Sequence, residues 1–166
     1  MDIVKCLIAE KANINHRKKN KGCALHVACG FKHLNIVEYL ISHNASTDIH
    51  TFDQDGFTPL MIASKRGDNK IVEHLLSLNV NTETRRDNNT YPRTALMIAS
   101  NWGSVGVVKS LIAHNANIEA EESPHITSLY IALERKQTAV VDVLLSSGAK
   151  MTALTEILIA KQDTYD

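Results

Sequence analysis

The sequence contains few cysteines, and it lacks any long hydrophobic run. Three cysteines occur in 166 residues, and no two of them form a Cys-x-x-Cys pair. A disulfide framework of the kind found in small secreted domains is therefore not expected, and reduced thiols fit a cytoplasmic protein, with the nucleus as the alternative. No stretch reaches the roughly 18 apolar residues of a membrane-spanning helix, and Asp2, Lys5 and Glu10 interrupt the apolar N-terminus, so we predict neither a membrane span nor a signal peptide.

An excess of charge of either sign is also missing. Eighteen Lys and Arg residues balance eighteen Asp and Glu residues. The chain therefore has no net field that would draw it onto nucleic acid or an anionic membrane. What is present is a hydrophobic content of 44%, which is enough at this length to bury a substantial core and which excludes a disordered chain.

Motifs that carry chemistry are scarce. The seven glycines stand apart from one another, so there is no glycine-rich phosphate loop. The histidines are scattered and none lies in a His-Glu-x-x-His motif. Cys23, His26 and Cys29 are spaced as three soft metal ligands, but no fourth ligand has a suitable spacing. We therefore expect no catalytic residues, no cofactor and no bound metal.

A repeated pattern organises the chain. Residues 58–64 read Thr-Pro-Leu-Met-Ile-Ala-Ser and residues 94–100 read Thr-Ala-Leu-Met-Ile-Ala-Ser. Both segments are followed by a second apolar stretch, at 71–76 and at 107–112. Self-similarity with a period near 33 residues is typical of repeat solenoids. The leucines of the four copies, separated by 35, 36 and 33 residues, are Leu25, Leu60, Leu96 and Leu129.

The Thr-Pro-Leu opening and this period resemble the ankyrin repeat family over almost the whole chain. The resemblance implies an all-α solenoid of stacked helix-turn-helix units joined by hairpin loops. The predicted bounds are 1–17 (a partial N-terminal repeat, its second helix), 18–52, 53–88, 89–121 and 122–152 (four full repeats), and 153–166 (a C-terminal cap helix or a truncated repeat).

Residue spacing explains why each unit should form two short helices. Leu60, Ala63 and Ser64 recur at i, i+3 and i+4, which gives one apolar stripe that must be buried against a neighbour. Gly67 and Gly103 stand where the first helix should end, because glycine adopts left-handed backbone readily. Lys32 and Lys136 take that position in two other units, so we expect those turns to be less favourable.

The first residues align with the second half of a repeat. The chain therefore either begins with a half-repeat or is part of a longer array. The apolar face formed by Val4, Leu7 and Ile8 favours the longer array, since the ends of a solenoid need a polar outer face.

The resemblance also implies a binding surface, along the hairpin tips and the exposed ends of the first helices. Phe31, Arg66, Trp102 and Arg135 occupy one equivalent position in the four units. Large exposed aromatic and arginine side chains carry much of the energy of protein interfaces. The competing interpretation is that Phe31 and Trp102 pack over neighbouring units. The predicted partner-binding residues are Phe31, Asp55, Phe57, Lys65, Arg66, Tyr91, Arg93, Asn101, Trp102, Glu134 and Arg135.

Charge alternates in sign from one hairpin to the next, from basic residues 17–21 through acidic, basic and acidic tips. A nucleic-acid duplex requires a continuous basic track, so the alternation argues against nucleic-acid binding. Most of these charges can be solvated loop charges, although the row could orient a complementary partner.

Two further residues take their roles from the resemblance. His26 occupies the histidine of the family signature, which hydrogen-bonds within the hairpin and helix framework. Asn15 matches an asparagine that serves in similar repeats as a substrate of asparaginyl hydroxylase.

The sequence as a whole predicts a non-catalytic, monomeric scaffold that binds a partner protein, with no nucleic acid and no membrane insertion. The mechanism is preorganisation, because stacked units hold the loop tips in place before binding. The alternative is a structural or autoinhibitory array within a longer enzyme or channel polypeptide.

Overall fold

The chain is helical throughout the part that the structure describes. A computed structural model describes residues 1–14, 16, 22–43, 49–86 and 91–162. Over these ranges there are ten helices and no strands, which confirms the predicted all-α class. The helices are α1 (Asp2–Ala9), α2 (Ala24–Gly30), α3 (Leu34–Ser42), α4 (Pro59–Arg66), α5 (Asn69–Ser77), α6 (Ala95–Asn101), α7 (Val105–Ala113), α8 (Ser128–Glu134), α9 (Thr138–Ser146) and α10 (Ala153–Gln162).

The helices form two layers. In the first layer α2 packs against α4, α4 against α6, α6 against α8 and α8 against α10. In the second layer α3 packs against α5, α5 against α7 and α7 against α9, and each first-layer helix from α2 to α8 also contacts the next helix along the chain. This is the predicted solenoid of stacked helix pairs, in which each pair is buried by its neighbours.

The first helices begin at a side chain that caps them. The hydroxyl oxygens of Thr58, Thr94 and Thr127 accept hydrogen bonds of 3.3 to 3.4 Å from the backbone N–H three residues later. Such caps satisfy a backbone donor that has no partner within the helix. The repeated threonine therefore fixes where each of these short helices starts. In α2, Cys23 takes the N-cap position.

The first helices also end in the same way. A left-handed residue follows each of them: Gly67 with a φ of 67° and Gly103 with a φ of 69°, but also Lys32 with 60° and Lys136 with 55°. The backbone N–H of the next residue then donates to the carbonyl of a helical alanine five residues earlier, as His33 does to Ala28. The prediction at the two glycines is confirmed, and the two lysines adopt the same turn in spite of their Cβ atoms.

The leucines of the repeats occupy matching interior sites. Leu25, Leu60, Leu96 and Leu129 are each at most 4% exposed. The small residues of the same helices are buried beside them, and they permit the close approach of neighbouring first helices. These alanines are Ala28, Ala63, Ala99 and Ala132.

The terminal helices are less well covered than those between them. Helix α1 has no buried residue, although Ile8 packs against the core. In α10, Thr155 is fully buried and Leu158 packs against the core, whereas Ile157 is half exposed. The helix pairs fall within the predicted repeats, and the exact repeat bounds stay a prediction.

None of the helices in the described ranges is both long enough and apolar enough to cross a membrane.

Candidate functional site

A continuous groove runs beside the first helices. One cavity of about 330 Å³ lies between the units of α2 and α4 and is bordered by Val27 and Ile62. A second cavity of about 300 Å³ lies between the units of α4 and α6 and is bordered by Trp102. Asp55 and Phe57 line both cavities, so the two form one depression. We call these two cavities together the hairpin groove.

Most of the predicted partner-binding residues meet in this groove. Tyr91 and Glu134 do not line it, but each contacts a residue that does. Phe31 lies apart, at the end of α2, where its ring stacks on His33 with a centroid distance of 6.2 Å. The eight predicted residues that line the hairpin groove are Asp55, Phe57, Lys65, Arg66, Arg93, Asn101, Trp102 and Arg135.

The two large aromatic side chains at the equivalent position are open to solvent. Trp102 is 56% exposed and Phe31 is 69% exposed. More than half of each side chain is therefore open to solvent, and the ring of Trp102 also lies 5.5 Å from the ammonium nitrogen of Lys65 in the preceding repeat. An exposed indole beside a depression can contact another molecule.

The hairpin that carries Phe57 is held by hydrogen bonds between its own residues. One carboxylate oxygen of Asp53 accepts hydrogen bonds from the backbone N–H of Asp55 at 2.9 Å and of Phe57 at 2.8 Å. The backbone N–H of Asp53 also donates to the carbonyl of Phe57. Aspartate favours such turns because its short side chain reaches the backbone nearby. These hydrogen bonds hold the backbone of Phe57 at the edge of the groove.

Cations of the chain lie close to the aromatic rings. The ammonium nitrogen of Lys65 is 5.0 Å from the ring centroid of Phe57 and 5.5 Å from that of Trp102. The guanidinium carbon of Arg86 is 4.1 Å from the centroid of Phe57. Distances of this size allow favourable cation–π attraction.

Arginines of the third hairpin bind the hairpins on both sides. Arg86 donates to the carbonyl of Asp55 at 2.8 Å, and Arg85 donates to the carbonyl of Glu121 at 2.6 Å. Arg93 pairs with the carboxylate of Glu122 and also donates to Asn101 at 3.1 Å. The basic third hairpin is thus used to join its neighbours, a role that the alternation in charge could have suggested.

Nine residues that line the groove were not among the predicted set: Gly22, His26, Val27, Gly30, Asp53, Gln54, Ile62, Arg86 and Ile98. Arg86 lines the second cavity from the basic third hairpin. Val27, Ile62 and Ile98 line the groove from the first helices. Their position in the repeat could have identified them in the sequence, because Ile62 and Ile98 occupy equivalent places in two repeats.

The Cys23, His26 and Cys29 cluster serves the framework of the first repeat. Nδ1 of His26 lies 2.9 Å from the sulfur of Cys23, and Nε2 lies 3.1 Å from the carbonyl oxygen of Thr51 in the next hairpin. Burial, reinforced by the nearby Cys23 and Asp68, raises the pKa of Cys29 to about 12. In the described part of the chain, no three His, Cys, Asp or Glu side chains are arranged to hold a metal ion.

The predicted modification site, Asn15, and the basic tip at 17–21 lie outside the described residues. The structure therefore gives no geometry for either of them.

Comparisons with known proteins match this chain to proteins built of repeats. A family model of ankyrin repeats in three copies matches residues 1–86 and 81–155. Rabankyrin-5 is similar over 155 residues in Mus musculus (29% identity) and over 157 residues in Homo sapiens (30% identity), in each case 93% of this chain and 13% of the relative. Putative ankyrin repeat protein L271 of Acanthamoeba polyphaga mimivirus is 34% identical over 84 residues, which are 51% of this chain and 11% of that protein. The chain thus spans a small part of the length of these relatives.

Proposed function

The chain belongs to the ankyrin repeat family, and from that premise we propose that it is a non-catalytic scaffold that binds a partner protein through the hairpin groove. Ankyrin repeats are generally protein–protein interaction modules. The observation that carries the proposal is the exposed ring of Trp102, which lines the hairpin groove together with Phe57 and Lys65. Because these groups are already in place, little ordering entropy is lost on binding.

The contacts extend from this centre along the four repeats at 18–52, 53–88, 89–121 and 122–152. Asp55, Arg66, Asn101 and Arg135 border the same groove and supply polar contacts at its rim. The scaffold acts as a monomer in the cytoplasm, with the nucleus as the alternative, and it binds neither nucleic acid nor a membrane. The balance of acidic and basic residues supports that choice.

A pull-down with the wild type, Trp102→Ala and Leu145→Ala side by side tests the proposal. Leu145 is an exposed residue of α9 and is the matched control for loss of an apolar surface side chain. Trp102→Ala should weaken the complex by about 2 kcal/mol or more, since buried interface tryptophans often carry that much. Its melting temperature should stay almost unchanged. Equal recovery of the partner by the wild type and Trp102→Ala, or loss of the fold, contradicts the assignment.

A second candidate function is a structural or autoinhibitory array within a longer enzyme or channel polypeptide. It is supported by the small share, 13%, of rabankyrin-5 that the similar region covers. A full-length transcript tests it, because an open reading frame that joins this array to a catalytic or channel domain supports the second candidate.

Hydroxylation of Asn15 is a separate proposal, which rests on the family resemblance alone. Incubation with an asparaginyl hydroxylase followed by mass spectrometry should show an added oxygen on the peptide that contains Asn15. An unmodified peptide removes the proposal.

A further inference from the structure

The ammonium group of Lys65 occupies an unusual place in the hairpin groove. It lies between the rings of Phe57 and Trp102, at 5.0 and 5.5 Å from their centroids. Lys65 is exposed in the last turn of α4, where the negative end of the helix dipole favours a cation. Among the residues that the structure describes, no carboxylate lies within ion-pair distance of this nitrogen.

The other cations of the second cavity have carboxylate or carbonyl partners. Arg93 pairs with Glu122, and Arg135 lies 3.7 Å from Glu134. Arg86 donates to the carbonyl of Asp55. This cavity is lined by four cations, Lys65, Arg86, Arg93 and Arg135, and by one carboxylate, that of Asp55. Positive charge stays in excess when Glu122 and Glu134 are counted as partners of Arg93 and Arg135. That charge is concentrated at Lys65, because the other cations are held by partners of this chain.

Cations of this chain already lie close to the aromatic rings of the groove, so the rings disfavour a cationic ligand. Lys65 and Arg86 already lie close to Phe57, and Lys65 lies close to Trp102. Arg93 is 5.3 Å from the centroid of Tyr91. A lysine or arginine of a partner that approached these rings would meet like charges, which disfavours binding. An anionic group of a partner would instead be attracted by the ammonium group of Lys65.

The first cavity supplies an apolar contact next to this cation. Val27 is 55% exposed and, together with Ile62, borders the cavity of about 330 Å³ that Lys65 also lines. A large apolar side chain placed there would remove these surfaces from water. The same cavity is also lined by Asp53, Asp55 and Arg66. The groove therefore offers the positive charge of Lys65 beside the apolar surface of Val27 and Ile62.

We propose that the hairpin groove recognises a peptide segment of the partner in which an aspartate or glutamate adjoins a large apolar residue. The carboxylate pairs with the ammonium group of Lys65 on its solvent-facing side, and the apolar side chain enters the cavity beside Val27 and Ile62. This inference rests on the proposed function, since it specifies what the same groove binds.

Selection from a display library of random short peptides tests the inference on the whole chain. The wild-type protein should enrich peptides in which Asp or Glu neighbours Phe, Trp, Leu or Ile. The affinity of an enriched peptide should fall about tenfold or more with Lys65→Met, which keeps the apolar stem and removes the charge. Lys109→Ala, at an exposed position of α7, is the matched control and should leave the affinity unchanged.

Substitution within the peptide gives a second measurement that does not depend on the folding of a variant. Replacing the acidic residue of the peptide by its amide should reduce the affinity for the wild type about tenfold or more, and added salt should weaken only the acidic peptide. Enrichment of peptides without acidic residues, no enrichment over the empty support, or equal affinity of the acid and amide forms overturns the inference.

The two proposals fail in different ways. Peptides that require Trp102 but bind Lys65→Met as tightly as the wild type overturn the acidic recognition and leave the groove as the binding surface. Peptides that bind Trp102→Ala and Lys65→Met as tightly as the wild type contradict both proposals.

Discussion

A carboxylate oxygen of Glu83 accepts a hydrogen bond of 2.9 Å from the backbone N–H of Asn117, 34 residues further along the chain. The same contact recurs one repeat later, where Glu119 accepts a hydrogen bond of 2.9 Å from the backbone N–H of Lys150. Each glutamate stands just after the second helix of its repeat and binds the start of the next hairpin. Neighbouring repeats are therefore joined by polar contacts as well as by the apolar core.

The Glu83 contact predicts different effects for two substitutions. Glu83→Ala removes the acceptor and should lower the free energy of unfolding by about 1 kcal/mol, a typical value for one hydrogen bond. Glu83→Gln keeps an oxygen that can accept the same hydrogen bond, so it should retain most of that stability. Urea unfolding of both variants measures the difference. Equal loss in the two variants would show that the charge, and not the acceptor, is what matters.

Local features of the fold were predictable from the sequence. Gly67 and Gly103 adopt the predicted left-handed turn, because such a turn depends on a few adjacent residues. The caps at Thr58 and Thr94 are equally local, although they were not predicted. The buried face of each helix followed from the spacing of its apolar residues. In a repeat protein these local rules recur, so one unit that is interpreted correctly predicts the others.

The interactions of the groove could not be predicted in the same way. Arg93 and Glu122 are 29 residues apart, and their contact depends on how two hairpins are placed in space. Lys65 meets both Phe57 and Trp102 only because α4 and α6 are stacked. The sequence indicated eight of the residues that line the groove, whereas the pairs that they form depend on the stacking of the repeats.

Leu76 lies on the buried face of the second layer of helices, and its substitution tests that assignment. Its side chain is 3% exposed in α5, and Leu76→Ala should lower the free energy of unfolding by roughly 2–5 kcal/mol through the loss of apolar contacts and the cavity left behind. Leu78, two residues later, is 40% exposed and provides the matched control, since Leu78→Ala removes the same atoms at the surface. Chemical denaturation of the two variants should separate them clearly. Similar stabilities would mean that the buried face has been assigned wrongly.

Substitutions in the turns after the first helices should change the stability in opposite directions, depending on whether they add or remove a Cβ atom. Gly103 has a φ of 69°, and a Cβ atom there would lie 2.2 Å from the side-chain oxygen of Gln137. Gly103→Ala should therefore lower the stability by about 1–2 kcal/mol, the cost of left-handed backbone for a residue with a Cβ, while the flexible Gln137 side chain moves aside. Lys136→Gly makes the reverse change at a φ of 55° and should raise the stability. Thermal unfolding gives the sign of each effect, and stabilisation by Gly103→Ala would contradict the argument.

The buried thiol of Cys29 should make the folded chain less stable in alkaline solution. Burial, with smaller effects of Cys23 and Asp68, raises its pKa from the usual 9.0 to about 12. Below pH 9 the thiol is protonated in both states and its contribution is fully present. Between pH 9 and 12 the unfolded chain releases this proton and the folded chain keeps it, so stability falls as the pH rises, by up to 1.4 kcal/mol for each pH unit. Between about pH 7 and about pH 10 the wild type should lose about 1.4 kcal/mol more than Cys29→Ala in urea unfolding, since the variant has no thiol to titrate at this site. An equal loss in the two proteins would show that the Cys29 thiol ionises in the folded state as easily as in the unfolded state.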